Sequence, residues 1–310
     1  MLISIVIPVY NSDKTIELTV NDVKEVFSNL QKKYDYEIIL VNDGSKDSSE
    51  QVIQNICSIE NKVKFINLSK NFGQHNAIMA GLNVANGDYV ICMDDDLQTP
   101  ASGIGELIKK LEEGYDVVYA EYKQVKQNLF RRLGSKFANK TAEFLINKPK
   151  DIYGSSFFIC RKYIINEIIK YKNSFPFVAG LIFRTTQNIG RIFIEHRERE
   201  IGRSNYNLFK LIRLWMNSFT SFSVKPLRIA SLFGFILSII SFLMLIIIVI
   251  RKLLNPLVQL GWTSIVGIVM LFGGIQLICT GLLGEYIGRI YLCINRNPQY
   301  VVKNTINIKR

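Results

Sequence analysis

Two stretches near the C-terminus carry no charged side chain: residues 229–250, 22 in number, and residues 258–284, 27 in number. A helix needs about 20 residues to cross the hydrocarbon of a bilayer. These runs are too long and too uniformly apolar for a buried helix pair, so they predict two transmembrane helices. Only residues 251–257 separate them, which makes the pair a hairpin with both flanks on one side. Lys225 and Arg228 precede the first span, and Arg289, Arg296 and Lys303 follow the second. Arg251 and Lys252 in the connection dissent. The larger basic flank assigns the chain on either side of the hairpin to the cytoplasm. Glycines at 267, 273, 274, 281, 284 and 288 would allow close helix approach.

Composition agrees with a membrane protein. Apolar residues make up 48% of the 310, and mean hydropathy is +0.16. Residues 227–310 hold 8 Lys or Arg and 1 Glu, so +7 of the +12 net charge gathers around the apolar part. A basic collar there suits an anionic cytoplasmic leaflet. No nucleic-acid motif and no dense basic tail is present, so nucleic acid is not an expected partner. The five cysteines, at 57, 92, 160, 279 and 293, are far apart and form no CxxC, which argues against a disulfide framework or a zinc site. The apolar start MLISIVIPVY lacks a basic n-region and reads as a buried strand, not a signal peptide.

The first third alternates strand and helix signals. Apolar runs at 3–9, 38–41, 63–68, 89–93 and 115–120 predict five strands, with helical spacing at 15–30 and 48–56. Short, fully apolar strands between helices imply a mostly parallel α/β sheet covered on both faces. Ligands of such sheets bind beyond the carboxyl ends of the strands. Two later stretches are basic and amphipathic. Residues 123–140 carry Lys123, Lys126, Arg131, Arg132, Lys136 and Lys140 with no acid, and Phe130, Leu133 and Phe137 at helical spacing. Residues 207–225 present Leu208, Leu211, Ile212, Trp215 and Phe219 as a stripe, expected to lie in the membrane interface.

The candidate chemistry follows the fourth strand. Asp94, Asp95 and Asp96 are consecutive, and crowded carboxylates call for a counter-ion. An oxygen-seeking Mg²⁺ or Mn²⁺ would supply it and could bridge a diphosphate. Alternation along an extended chain lets Asp94, Asp96 and Gln98 converge on one site, with Asp95 as a neighbour. An EF-hand is excluded, because the Gly and the later Glu are missing at their offsets. Asp43 ends the second strand in Asn42-Asp43-Gly44-Ser45, where it could accept from a base or a ribose, or serve with Ser45 as an ordinary helix cap. Pro8, Tyr10 and Asn11 end the first strand and offer an aromatic face. A dinucleotide site is excluded by the absence of GxGxxG, since Gly103-Ile104-Gly105 lacks the third glycine.

VIPVYN, VNDGSKD, NFGQHNAIMAG and DDDLQTP, in this order and spacing, resemble glycosyltransferase family 2 with its GT-A, Rossmann-like fold. HREREIGRSNY, the apolar hairpin and GLLGEYIGRIY resemble the polyprenyl-phosphate branch of that family. The resemblance implies that Pro8, Tyr10 and Asp43 hold a nucleoside, with Asn11 beside them. It implies that Asp94, Asp96 and Gln98 hold metal and diphosphate. Arg131 and Ser135 match positions for a lipid phosphate, and Arg199 with Gly202-Arg203-Ser204 matches a loop closing on both substrates. Asp96, Arg131 and Arg203 are the expected catalytic residues. Ser12 stands where the family usually has Glu, Asn42 where Asp is frequent, Asn205 where Lys is, and Phe158 where many members carry Arg.

The resemblance implies the domain plan: a GT-A catalytic domain over 1–206, an interfacial helix over 207–226, a transmembrane hairpin over 227–288 and a cytoplasmic tail over 289–310. It also implies the partners: a nucleotide-sugar donor, a polyprenyl phosphate such as undecaprenyl phosphate, the bacterial inner membrane and further copies of the chain, a tetramer being favoured. A phosphate acceptor is already ionised near neutral pH and needs no strong base. Transfer to a sugar hydroxyl is the competing expectation, though neither Trp215 nor Trp262 sits in a QxxRW motif. A silent scaffold that only binds nucleotide-sugar or lipid is the third, and the intact acidic run argues against it.

Overall fold

The computed structural model describes residues 1–30, 33–95, 97, 99–122, 140, 141, 143, 149, 152, 154–194, 225–254, 261–295 and 297–308. Four βα repeats open the chain: β1 Leu2–Val9, α1 Ile16–Leu30, β2 Asp35–Asn42, α2 Ser49–Ile59, β3 Val63–Leu68, α3 Gln74–Leu82, β4 Tyr89–Cys92 and α4 Gly103–Glu112. β5 Val117–Tyr122, β6 Phe158–Arg161, α5 Lys162–Ile168, α6 Val178–Thr185 and β7 Ile189–Ile194 complete the central body. Two long helices, α7 Lys225–Leu254 and α8 Trp262–Ile294, and a last strand, β8 Val302–Ile306, follow.

One eight-stranded sheet organises these elements in the order β7-β5-β6-β4-β1-β2-β3-β8. β1 pairs in parallel with both β2 and β4, β2 with β3, and β5 with β7. β6 runs antiparallel to β4 and β5, and β8 antiparallel to β3. Six strands therefore point one way and two the other, as a mostly parallel sheet requires.

Period-two alternation builds a core on each face. Ile3, Ile5, Ile7 and Val9 of β1 and Ile38 and Leu40 of β2 pack under α1, α2 and α4. Val6, Ile39 and Val41 face the other way, under α3, α5 and α6. Strands buried on both faces read as unbroken apolar runs, which is why β1 to β4 were visible in the sequence. α3 lies very close to the sheet: a Cβ on its Gly81 would stand 2.4 Å from Cγ1 of Val6.

The first expected span lies inside α7. The second is shifted, because α8 begins at Trp262 and runs on to Ile294. Among the described residues one stretch, Leu271–Ile294, is long and apolar enough to cross a membrane. α7 and α8 pack on each other, and Phe235 and Phe242 of α7 and Val269 and Leu277 of α8 stay exposed. The interfacial helix expected over 207–226 and the basic stretch at 123–139 fall outside the described residues, apart from the first turn of α7.

The expected tail over 289–310 is corrected by the structure. α8 takes its first residues, and 302–306 become the edge strand of the sheet. Gln299 Nε2 donates to the carbonyls of Tyr171 and Asn173 at 2.8 and 2.9 Å. Asn307 Nδ2 donates to those of Cys57 and Val63, and Asn67 Nδ2 to Oδ1 of Asn304. VKNTI is mostly exposed, and the backbone ladder to β3 is its main hold.

Candidate active site

The carboxyl ends of β1 to β4 meet at one edge of the sheet, and β6, running the other way, begins there. The turns at these ends hold one another through side chain to backbone bonds. The Asn11 N–H donates to Ser45 Oγ at 3.0 Å, and Asn11 Oδ1 accepts from the Lys46 N–H at 2.8 Å. Ser12 N–H donates to Ser49 Oγ, and Asp13 N–H to Asp47 Oδ2. Asn11 sits at φ +55, a left-handed conformation that Asn tolerates better than most residues. Tyr10 beside it stays 45% exposed, so its ring is open to a ligand. Pro8 lies within β1, opposite Val41.

Asp43 is buried and accepts the backbone N–H groups of Phe72 and Gly73 at 2.7 and 2.9 Å. Burial pushes its carboxyl up, and the two N–H donors pull it part of the way back. Its carboxylate therefore fixes the turn that starts α3. Gly44, at φ +68, lets that turn pass, since a Cβ there would stand 2.5 Å from the backbone of Lys70 and Asn71. Asp47 is also affected by burial, but Ser49 and nearby backbone N–H groups hold it below the usual carboxylate range.

The acidic turn follows β4. Asp94 Oδ1 accepts from Gln74 Nε2 at 2.7 Å, and Asp94 Oδ2 from the Ser156 hydroxyl. Asp95 Oδ2 receives the Tyr10 N–H at 3.4 Å. Burial, reinforced by the Asp94 charge, pushes the Asp95 carboxyl up to about 6, against hydrogen bonds from Ser12 and Tyr10. Leu97 adopts φ +59, in the left-handed region. Asp96 and Gln98 lie outside the described residues, as do Arg131, Ser135, Arg199, Arg203 and Ser204.

Pro8, Tyr10, Asn11, Asp43 and Asp94 lie at or beside the carboxyl ends of β1, β2 and β4. Two residues were not singled out there: Gln74, the first residue of α3, and Ser156, just before β6. Among the described residues no group of three or more His, Cys, Asp or Glu side chains converges to hold a metal. Ions of the Mg²⁺ type bind through one or two carboxylates plus substrate phosphates, so the all-oxygen donors of this turn fit such an ion.

A model of glycosyl transferase family 2 matches residues 4–169, more than half the chain. The chain belongs to that family. The transferase is 34% identical over 315 residues to undecaprenyl-phosphate 4-deoxy-4-formamido-L-arabinose transferase of Proteus mirabilis, with 99% of this chain and 95% of that protein covered. It is 36% identical over 307 residues to an uncharacterized glycosyltransferase of Bacillus subtilis, covering 99% and 94%. A solved structure of glucosyl-3-phosphoglycerate synthase from Mycobacterium tuberculosis, in complex with Mn²⁺ and UDP-glucose, superposes with a TM-score of 0.53 at 18% identity, covering 70% of this chain and 76% of that one. The transferase therefore has the GT-A fold.

Proposed function

We propose that this glycosyltransferase moves a sugar from a nucleotide-sugar, UDP-linked by preference, to the phosphate of a polyprenyl phosphate at the cytoplasmic face of a bacterial inner membrane. The observation that carries the reading is the reach of the similarity. It extends over 99% of the chain to an undecaprenyl-phosphate transferase, well past the 4–169 catalytic match and through both long helices. A soluble acceptor would give no reason for that apolar part. The UDP preference draws on the fold neighbour, which was crystallised with UDP-glucose.

In this reading Tyr10 lies against the base, with Pro8 and Asn11 shaping the turn beneath it and Asp43 at the nucleoside end. Asp94, Asp96 and Gln98 face the diphosphate and would hold Mg²⁺ or Mn²⁺. When bound, that ion supplies positive charge to the departing nucleoside diphosphate. Arg131, Ser135, Arg199, Arg203 and Ser204 would orient the lipid phosphate, Arg residues being suited to it by bidentate geometry. A phosphate oxygen attacks the anomeric carbon from the face opposite the leaving group. The bond from that carbon to the diphosphate oxygen breaks, its electron pair leaves with the nucleotide, and the configuration inverts. The nucleophile arrives ionised, so the protein's task is orientation and charge stabilisation.

The purified full chain, given radiolabelled UDP-sugars, undecaprenyl phosphate and Mn²⁺ or Mg²⁺, is expected to form an organic-extractable labelled lipid. Asp96→Ala should abolish it. No labelled lipid across a broad donor panel sinks the acceptor reading, and undiminished product in EDTA sinks the metal reading.

A further inference from the structure

Asp94 is gripped on both carboxylate oxygens from two different parts of the fold. Oδ1 takes the Gln74 amide N–H at 2.7 Å, and Oδ2 takes the Ser156 hydroxyl. Neither donor is on β4, so neither follows automatically from where Asp94 sits in the chain.

Each donor is itself fixed. Gln74 opens α3, and the two residues before it give their N–H groups to buried Asp43. Asn76, in the first turn, donates Nδ2 back to the Phe72 carbonyl at 2.7 Å. On the other side, Ser156 precedes the fully buried Phe157, whose N–H donates to Ser155 Oγ and whose carbonyl accepts from the Ala120 N–H at 2.9 Å. The result is a continuous path of bonds: Asp43, the 72–73 turn, Gln74, Asp94, Ser156.

We infer that Gln74 and Ser156 are positioning residues that set the orientation of the Asp94 carboxylate for the metal and diphosphate. The inference rests on the reading of Asp94 given above. A carboxylate just past the end of β4, beside two further acids in the sequence, meets their repulsion, which these two donors offset. Bonds of this kind orient a ligand's lone pairs, and losing one typically weakens metal binding by about 10- to 100-fold. The path also ties Asp94 to Asp43, so the spacing between the diphosphate end and the nucleoside end is held by the same bonds.

The test is Mn²⁺ affinity of the full chain in detergent with UDP present, read as free Mn²⁺ by electron paramagnetic resonance, beside the thermal midpoint. Ser156→Ala and Gln74→Ala are each expected to weaken Mn²⁺ binding about 10-fold or more, with the thermal midpoint near that of the wild type. Ser156→Thr keeps the hydroxyl and should restore it. Wild-type affinity in both alanine variants overturns the inference. So does a loss that Thr fails to rescue, or one that tracks a fall in thermal midpoint. A wild-type chain that takes up no Mn²⁺ overturns it together with the metal assignment. Binding is read without sugar or acceptor, so a chain that shows the expected losses yet makes no lipid product would refute the proposed acceptor and leave the positioning role standing.

Discussion

Glu37, on β2, is 6% exposed and accepts the Ser4 hydroxyl at 2.6 Å and the Asn86 N–H at 2.8 Å, while Lys64 of β3 pairs with its other oxygen. Burial opposes ionisation, but Lys64, Ser4 and Asn86 together keep the carboxyl below its usual range. The folded group thus resists protonation more than the unfolded one, and its stabilisation is present above the ordinary Glu range and lost as pH falls below it. Lys64→Met leaves the charge buried without its cation and should cost about 3–5 kcal/mol, whereas Lys64→Met with Glu37→Gln should recover most of that in thermal unfolding. His75 titrates with the opposite charge. Its Nδ1 is buried without a hydrogen-bond partner among the described residues, its ring packs edge-on against Phe177 at 5.3 Å, and burial lowers its pKa to about 4. Between that value and its ordinary pKa near 6.5 the unfolded chain binds a proton that the folded chain refuses. Stability therefore falls with pH across this window, by about 1.4 kcal/mol per unit at most, and levels off below it. Comparing thermal midpoints of wild type and His75→Gln at pH 7 and pH 5 checks this: the variant should lose less.

Among the elements, β1 to β5 were legible in the sequence because strands buried on both faces are near-continuous apolar runs. β6 and β7 were not, being four residues and a half-exposed six. β8 was hidden most completely, since its partner β3 is more than 230 residues away and nothing local marks VKNTI as a strand. The site divides the same way. Asp94 and Asp95 announce themselves by crowding, whereas Gln74 and Ser156 are an ordinary amide and hydroxyl, made relevant by folding across 20 and 62 residues. Asn11 Oδ1 accepts the Lys46 N–H of the β2–α2 turn, a bond that nothing local in the sequence marks. The return segment that carries β8 can be tested on its own. Gln299 is 7% exposed and caps two carbonyls, so Gln299→Ala should cost about 2 kcal/mol. In a protein of this size that is roughly 3 °C in thermal midpoint. Thr305→Ala, at an exposed position of β8, should stay within about 0.5 kcal/mol of wild type and serves as the control.

For the molecule as a whole, β8 constrains how the apolar helices can sit in a bilayer. The sheet begins before α7 and is completed after α8, so strands β1 to β7 and strand β8 must share one aqueous compartment. One crossing would strand β8 on the far side from β3, whereas two crossings, or none, keep the ladder intact. The helix lengths allow two. At 1.5 Å per residue, the 30 residues of α7 and the 33 of α8 each exceed the roughly 30 Å hydrocarbon. The surplus length of α8 would bring the chain back towards Gln299 beside the sheet. Such a hairpin would hold the open edge of the sheet at a fixed distance from the lipid, the arrangement an acceptor phosphate anchored in that lipid needs. Impermeant maleimide labelling in intact cells tests it, with single cysteines placed in an otherwise cysteine-free chain. Ser58→Cys in the sheet domain and Thr305→Cys in β8 should both be protected until the cells are permeabilised, and Asn255→Cys between the helices should react at once. Labelling of Thr305→Cys from outside while Ser58→Cys stays protected would mean that β8 does not pair with β3 in the cell, and the hairpin argument would fall with it.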